Sequence, residues 1–109
     1  MKFVVSVVNK VDSHGLVDLL VSRGYRLTTW NTTGGFLGKE NLTLFTAVED
    51  DRVADVVALI QENCHTRVQQ VGSLPPVMES GELYVLDTKE VQVGGAVIFV
   101  FDVEQFFKA

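Results

Sequence analysis

Two periodicities divide the chain. From Phe3 to Val8 β-branched residues crowd together, which suits a central strand. Asp12 or Ser13 then offers a side-chain oxygen to cap a helix. Leu16, Val17, Leu19 and Leu20 supply its apolar face, and Gly24 stands where a capping glycine belongs at its end. Tyr25 to Asn31 alternates as a second strand, with Tyr25, Leu27 and Thr29 on one face and Arg26, Thr28 and Trp30 on the other. Thr32 to Asn41, containing Gly34, Gly35 and Gly38, reads as a loop, and Leu42 to Val48 as a third strand. Glu49, Asp50 and Asp51 place carboxylates where a helix dipole favours negative charge. Behind them Val53, Val56, Val57, Ile60 and Cys64 step at helical spacing. Val97 to Val103 forms a last strand, introduced by Gly94-Gly95, and Glu104 to Ala109 is a tail carrying Phe106 and Phe107.

The order strand, helix, strand, loop, strand, helix, long segment, strand predicts an α+β chain on the split βαβ plan of ferredoxin-like folds. Between the second helix and the last strand, His65 to Val93 shows no helical pattern. Leu83 to Leu86 and Glu90 to Val93 suggest a small hairpin there, and Pro75-Pro76 an extended or turning portion. A stretch that long within a small domain is usually functional or mobile.

The 109 residues are the length of one compact domain, so 1–109 is read as a single unit. The net charge of −5 argues against a partner such as DNA or RNA held by broad phosphate neutralisation, which needs a Lys/Arg excess. It leaves room for one anion held by a few local groups. A single cysteine excludes an intrachain disulfide and a Cys-based zinc site. No apolar run approaches the ~18 residues of a membrane-spanning helix. The short apolar start lacks the features of a signal peptide. The expected compartment is a reducing cytoplasm.

Candidate chemistry concentrates around the glycine-rich stretch Thr32-Thr33-Gly34-Gly35-Phe36-Leu37-Gly38-Lys39. Glycines let backbone N–H groups approach an anion, and the threonines add hydroxyl donors. The P-loop pattern fails because Thr33 stands where glycine is needed and Glu40 where Ser or Thr is needed; GxGxxG also fails at Thr33. The residues leave two readings: a plain connection between strands, or a loop whose Phe36 and Leu37 cover a ligand or a neighbouring subunit. Arg26 offers a fork of donors for phosphate and Thr28 a hydroxyl on the same face; a solvated surface pair is the alternative. Asn41 suits a purine edge or an ordinary turn. His14, His65 and Cys64 lack metal-ligand spacing, and no catalytic constellation is visible. Phe99, Phe101, Phe106 and Phe107 suggest that one sheet face is covered by a symmetric oligomer in addition to ordinary core packing.

Two runs together resemble a known family. Thr32-Thr33-Gly34-Gly35-Phe36-Leu37, then Asn41, then Val48-Glu49-Asp50-Asp51-Arg52-Val53 is similar to the cyclic di-AMP receptor proteins of the P-II-like signalling group. Val91-Gln92-Val93-Gly94-Gly95-Ala96-Val97-Ile98-Phe99-Val100 resembles that family's final strand. The likeness runs from Met1 to about Phe107. It implies a ferredoxin-like homotrimer that binds cyclic di-AMP at inter-subunit clefts, without catalysis, without a further cofactor and without membrane insertion. The glycine-rich loop between strands two and three would close over the ligand, and the long loop before the last strand would signal to a downstream protein. Carried over by position, Arg26, Thr28, Gly35, Phe36, Leu37 and Asn41 would meet the ligand, and Gly94 and Gly95 would allow close approach near the subunit boundary. The chain departs from the family at Gly24, where a polar residue is usual, at Leu42, at Asn9-Lys10-Val11-Asp12 and at Trp30. Two alternatives come from other classes. One is a P-II-like adaptor responding to another adenine nucleotide or to a protein alone. The other is a small enzyme whose groups (Asp50, Asp51 or His65) meet only at an interface.

Overall fold

The computed structural model describes residues 1–35, 40–72 and 88–109, with 69–72 and 88–93 as strand backbone. In chain order the elements are β1 (Lys2–Asn9), α1 (Lys10–Ser22), β2 (Thr28–Thr33), β3 (Glu40–Val48), a 3-10 turn (Asp50–Arg52), α2 (Val53–Asn63), β4 (Arg67–Gly72), β5 (Thr88–Val93) and β6 (Ala96–Asp102). Four strands form one antiparallel sheet in the order β2-β3-β1-β6, and β4 pairs with β5 in a separate hairpin. This is a small α+β architecture consistent with a ferredoxin-like fold, with the hairpin inserted before the last strand.

Burial along β1 alternates: Val4, Ser6 and Val8 are buried on one face, while Phe3, Val5 and Val7 are half-buried on the other. Both helices lie over the first face. Leu16 and Leu20 of α1, Val56, Leu59 and Ile60 of α2 and Cys64 just after it join Val4, Val8, Leu44, Val48 and Tyr25 in one core. Burying each large apolar side chain stabilises the fold by about 1.5–3 kcal/mol before entropy is counted.

The end of α1 follows directly from local sequence. Gly24 sits at φ +87, Tyr25 N–H donates to Leu20 O at 3.1 Å and Gly24 N–H to Val21 O at 3.0 Å. That is a Schellman closure, and its accompanying apolar pair, Tyr25 with Leu20, lies in the core. The start differs from expectation. Asn9, not Asp12 or Ser13, is the cap, and its Oδ1 accepts from Val11 N–H at 3.0 Å. Asn9 is extended as the last residue of β1 and so presents its side chain to the first free amides. Ser13 Oγ instead donates back to Lys10 O, and Asp12 is bound by Arg67.

Three further boundaries move. β2 begins at Thr28 rather than Tyr25, because Tyr25 completes the helix cap and is buried, and Thr46 Oγ1 donates to Arg26 O at 2.7 Å outside the ladder. The expected Thr32–Asn41 loop is shorter: strand pairing continues through Thr32↔Asn41 and Thr33↔Glu40. The hairpin in the long segment uses different arms. Glu90 to Val93 pair with Arg67 to Gln70, not with Leu83 to Leu86, which lie outside the described residues together with Pro75-Pro76. Arg67–Gly72 lacks strict alternation, since Val68 and Val71 are three apart, so its strand character rests on backbone pairing rather than on an apolar face.

Candidate functional site

Neighbours across antiparallel strands share a face, so the register arranges the open side of the sheet in rows. One row runs Ala47, Phe3, Phe101; the next Thr28, Phe45, Val5, Phe99; the next Trp30, Thr43, Val7, Val97; the last Thr32, Asn41, Asn9. Phe3 stacks on Phe45 at 6.0 Å between ring centres, and Phe99 on Phe101 at 6.3 Å. Aromatic at one end, the face becomes hydroxyl- and amide-bearing at the end where the Gly34–Gly35 turn begins.

At that polar end Asn41 is 1% exposed, and its Nδ2 donates to Gly34 O at 2.8 Å. It therefore holds the turn. Its Oδ1 is buried with no partner among the described residues. Thr32 and Thr43 hydroxyls meet at 3.0 Å. A concavity of about 420 Å³ opens here, lined by Lys10, Trp30, Asn31, Thr32, Thr33, Glu40 and Asn41. Its volume is within the range of small-molecule sites. Lys10 Nζ stands 3.5 Å from Glu40. Gly35 is exposed at the turn, and Phe36 and Leu37 lie outside the described residues.

Arg26 occupies the other end of the same edge. It precedes β2, so strand alternation does not set its direction, and it is exposed. It lines a second concavity of about 230 Å³ with Gly24, Tyr25, Ala47, Val48, Glu49 and Arg52. Arg52, which the sequence offered only within the run that resembles the family, brings a second guanidinium. It lies 4.3 Å over the Tyr25 ring and donates to Arg23 O at 3.3 Å. Tyr25 O–H donates in turn to the Asp55 carboxylate. Thr28 is exposed on the open face between the two concavities and lines neither.

Gly94 and Gly95 stand beyond the opposite edge of the sheet, before β6, both buried and with φ of +79 and +96. A Cβ on Gly94 would meet Arg67 Nη1 at 2.5 Å, His65 O at 2.7 Å and Asp12 Oδ2 at 2.9 Å. The close approach in the chain is thus to the bidentate Arg67–Asp12 pair, which joins the foot of the hairpin to α1 at 2.9 and 3.1 Å. Three strand spacings, roughly 14 Å at ~4.8 Å each, separate this edge from β2.

Two residues weighed for other chemistry, Cys64 and Asp50, have local explanations. Burial pushes the Cys64 thiol up to about 12, far from a reactive thiolate. Asp50 pairs with the Met1 amino group at 2.7 Å, which lowers the carboxyl and raises the amine. Among the described residues no three of His, Cys, Asp and Glu gather as metal ligands, and no helix is long and apolar enough to cross a membrane.

The fold is a small α+β architecture consistent with the ferredoxin-like class, and among the described residues Arg26 and Asn41 line two separate open concavities at opposite ends of the β2 edge. The whole chain, residues 1–109, matches the cyclic-di-AMP receptor family, and the protein belongs to that P-II-like family. Among solved structures it is similar to a functionally unknown protein from Pediococcus pentosaceus. The identity is 31% and the TM-score 0.76, with 99% of this chain and 96% of that one covered.

Proposed function

We propose that this protein is a non-enzymatic receptor that binds cyclic di-AMP in clefts between neighbouring copies of a homotrimer. The family supports the nucleotide. The observation that carries the cleft is the separation of the candidate residues. Arg26, Thr28, Gly35 and Asn41 belong to the β2–β3 edge, whereas Gly94 and Gly95 flank the β6 edge. A single ligand reaches both sets only if the β2 edge of one copy faces the β6 edge of the next. That head-to-tail contact, repeated about a closing rotation axis, makes a ring. The open aromatic face, with Phe101 52% exposed, gives such a ring an apolar interior. Three copies is the number the family resemblance implies.

In this reading Arg26 meets a phosphate from one end of the β2 edge, and backbone donors of the Gly34–Gly35 turn meet the ligand from the other end. Phe36 and Leu37 cover the ligand, and Asn41 holds the turn and faces a base. No further cofactor enters, and a free, buried Cys64 fits a reducing cytoplasm. Binding shifts the turn and the hairpin only by the ligand's differential affinity for their two arrangements. A contiguous set of contacts supports coupling between them: Glu40 to Lys10, then the first turn of α1, then Asp12 to Arg67 at the hairpin foot.

Calorimetry with cyclic di-AMP, cyclic di-GMP and ATP tests the ligand, and light scattering tests the assembly. Saturable heat from cyclic di-AMP with a trimeric mass is expected. No heat at high-micromolar cyclic di-AMP overturns the receptor reading, and heat from ATP alone replaces it with an adenine-nucleotide adaptor. A monomeric mass overturns the cleft.

A further inference from the structure

Trp30 is the only tryptophan in the chain. It stands on the edge strand β2 with 67% of its surface exposed, whereas the core residues beneath the helices are almost wholly covered. Its row on the open face is where the aromatic rows give way to hydroxyls and amides: Thr43 lies opposite, and Thr32 and Asn41 form the next pair. Together with those two residues it lines the 420 Å³ concavity.

A large flat side chain on a solvated edge strand loses most of the hydrophobic benefit of its size. Beside a polar concavity it has a specific use: its π-face stacks on a planar ring while neighbouring donors and acceptors take that ring's polar edge. Asn41 supplies the independent observation. It is 1% exposed, its Nδ2 is bonded to Gly34 O, and its Oδ1 has no partner among the described residues. An acceptor left unpaired in a buried position is costly, and an amino group on a ligand's edge would relieve that cost. A nucleobase combines both properties. An apolar side chain from a second copy would satisfy the indole and leave the amide oxygen unpaired.

We propose that Trp30 is the stacking platform for one base of the bound nucleotide, with the base's amino edge turned toward Asn41. This rests on the cyclic di-AMP reading and deepens it by assigning a specificity-determining residue.

Because Trp30 is the sole indole, its emission reports on this site alone. Titration of the wild-type assembly with cyclic di-AMP is expected to quench that emission with the midpoint found by calorimetry. Trp30→Ala is expected to weaken calorimetric binding roughly tenfold, the effect of losing one base–aromatic stack, and Trp30→Phe to recover most of it. Circular dichroism and light scattering check that both variants fold and assemble; the exposed position predicts that they do. Wild-type heat with unmoved emission and an unchanged Kd in Trp30→Ala overturns the platform and leaves the receptor reading intact. Emission that is blue-shifted before ligand is added and insensitive to it means that a neighbouring copy covers Trp30, and also overturns the platform. Absence of wild-type heat overturns the receptor reading, and the platform falls with it.

Discussion

On the helix side of the sheet, Val4, Val8 and Leu44 meet Leu16, Leu20, Val56 and Ile60, and every one of them is 2% exposed or less. On the other side, side chains no less apolar remain open: Phe101 is 52% exposed and Trp30 67%. Apolar character alone does not decide which of these side chains is covered. The difference is that two helices of 13 and 11 residues cover one side only. The covered face closes within the chain. The open face has no such cover among the described residues; Arg26 and Thr28 lie along its β2 side, and Gly94 and Gly95 precede β6 on the other.

The largest expected effect breaks this contrast on the open side. Phe101→Asp puts a carboxylate where the proposed ring buries an aromatic patch, and desolvating such a charge costs several kcal/mol. Light scattering should show a folded monomer; a trimer of unchanged mass would mean that this face does not assemble. Leu20→Ala is the counterpart on the covered side. It removes a 1%-exposed side chain that packs in the core and closes the α1 cap with Tyr25, and a loss of about 2–5 kcal/mol is expected in denaturant unfolding. A loss much below 1 kcal/mol would show that this face is less tightly closed than described.

Arg26→Ala is expected to weaken cyclic di-AMP binding by roughly 1.5–3 kcal/mol, the worth of a charged hydrogen bond, while leaving stability almost unchanged. An unaltered Kd would remove Arg26 from the site and shift attention to Arg52, which lines the same concavity. The smallest effect belongs again to the covered side. Burial raises the Cys64 thiol from its ordinary 9.0 to about 12. Burial, and then the hydrogen bond to Asp55, raise the Tyr25 phenol above its ordinary 10.0. In both groups the unfolded chain ionises first. The thiol's contribution to stability is therefore complete below about pH 9 and is lost as pH rises toward 12, and the phenol's begins to fall only above 10. Thermal unfolding followed across that window should show a falling midpoint, and Cys64→Ala should flatten part of the fall. A slope identical to wild type in that variant would exclude the thiol as a source.

Much of the fold was legible because it depends on local pattern. Phe3 to Val8 announces a strand by its β-branched residues, Val56 and Ile60 announce a buried helix face by spacing, and Gly24 announces a left-handed helix end. The α1 start was misplaced because three residues of similar capping ability stand close together. Which of them caps depends on Asn9 ending a strand and on Asp12 being held by Arg67, 55 residues away. Arg67–Gly72 was missed as a strand because backbone pairing to Thr88–Val93 requires no particular side chains. For the candidate site, Arg26, Thr28, Gly35 and Asn41 were singled out by chemical type and by resemblance, but type does not reveal partners. Lys10, Arg52 and Trp30 were tied to the candidate site only through the cavities they line.

By itself, the sequence determined the order of the elements outside the long segment before the last strand, the helix-covered core and the family. Each of these depends on composition or on residues near one another in the chain. The tertiary structure decided that Asn41 restrains the Gly34 turn, that Gly94 packs on the Asp12–Arg67 pair, and that the two halves of the candidate site stand on opposite edges of one sheet. Those facts depend on strand order, and strand order is set by which faces and edges can pair across long stretches of chain, a property that no single segment carries.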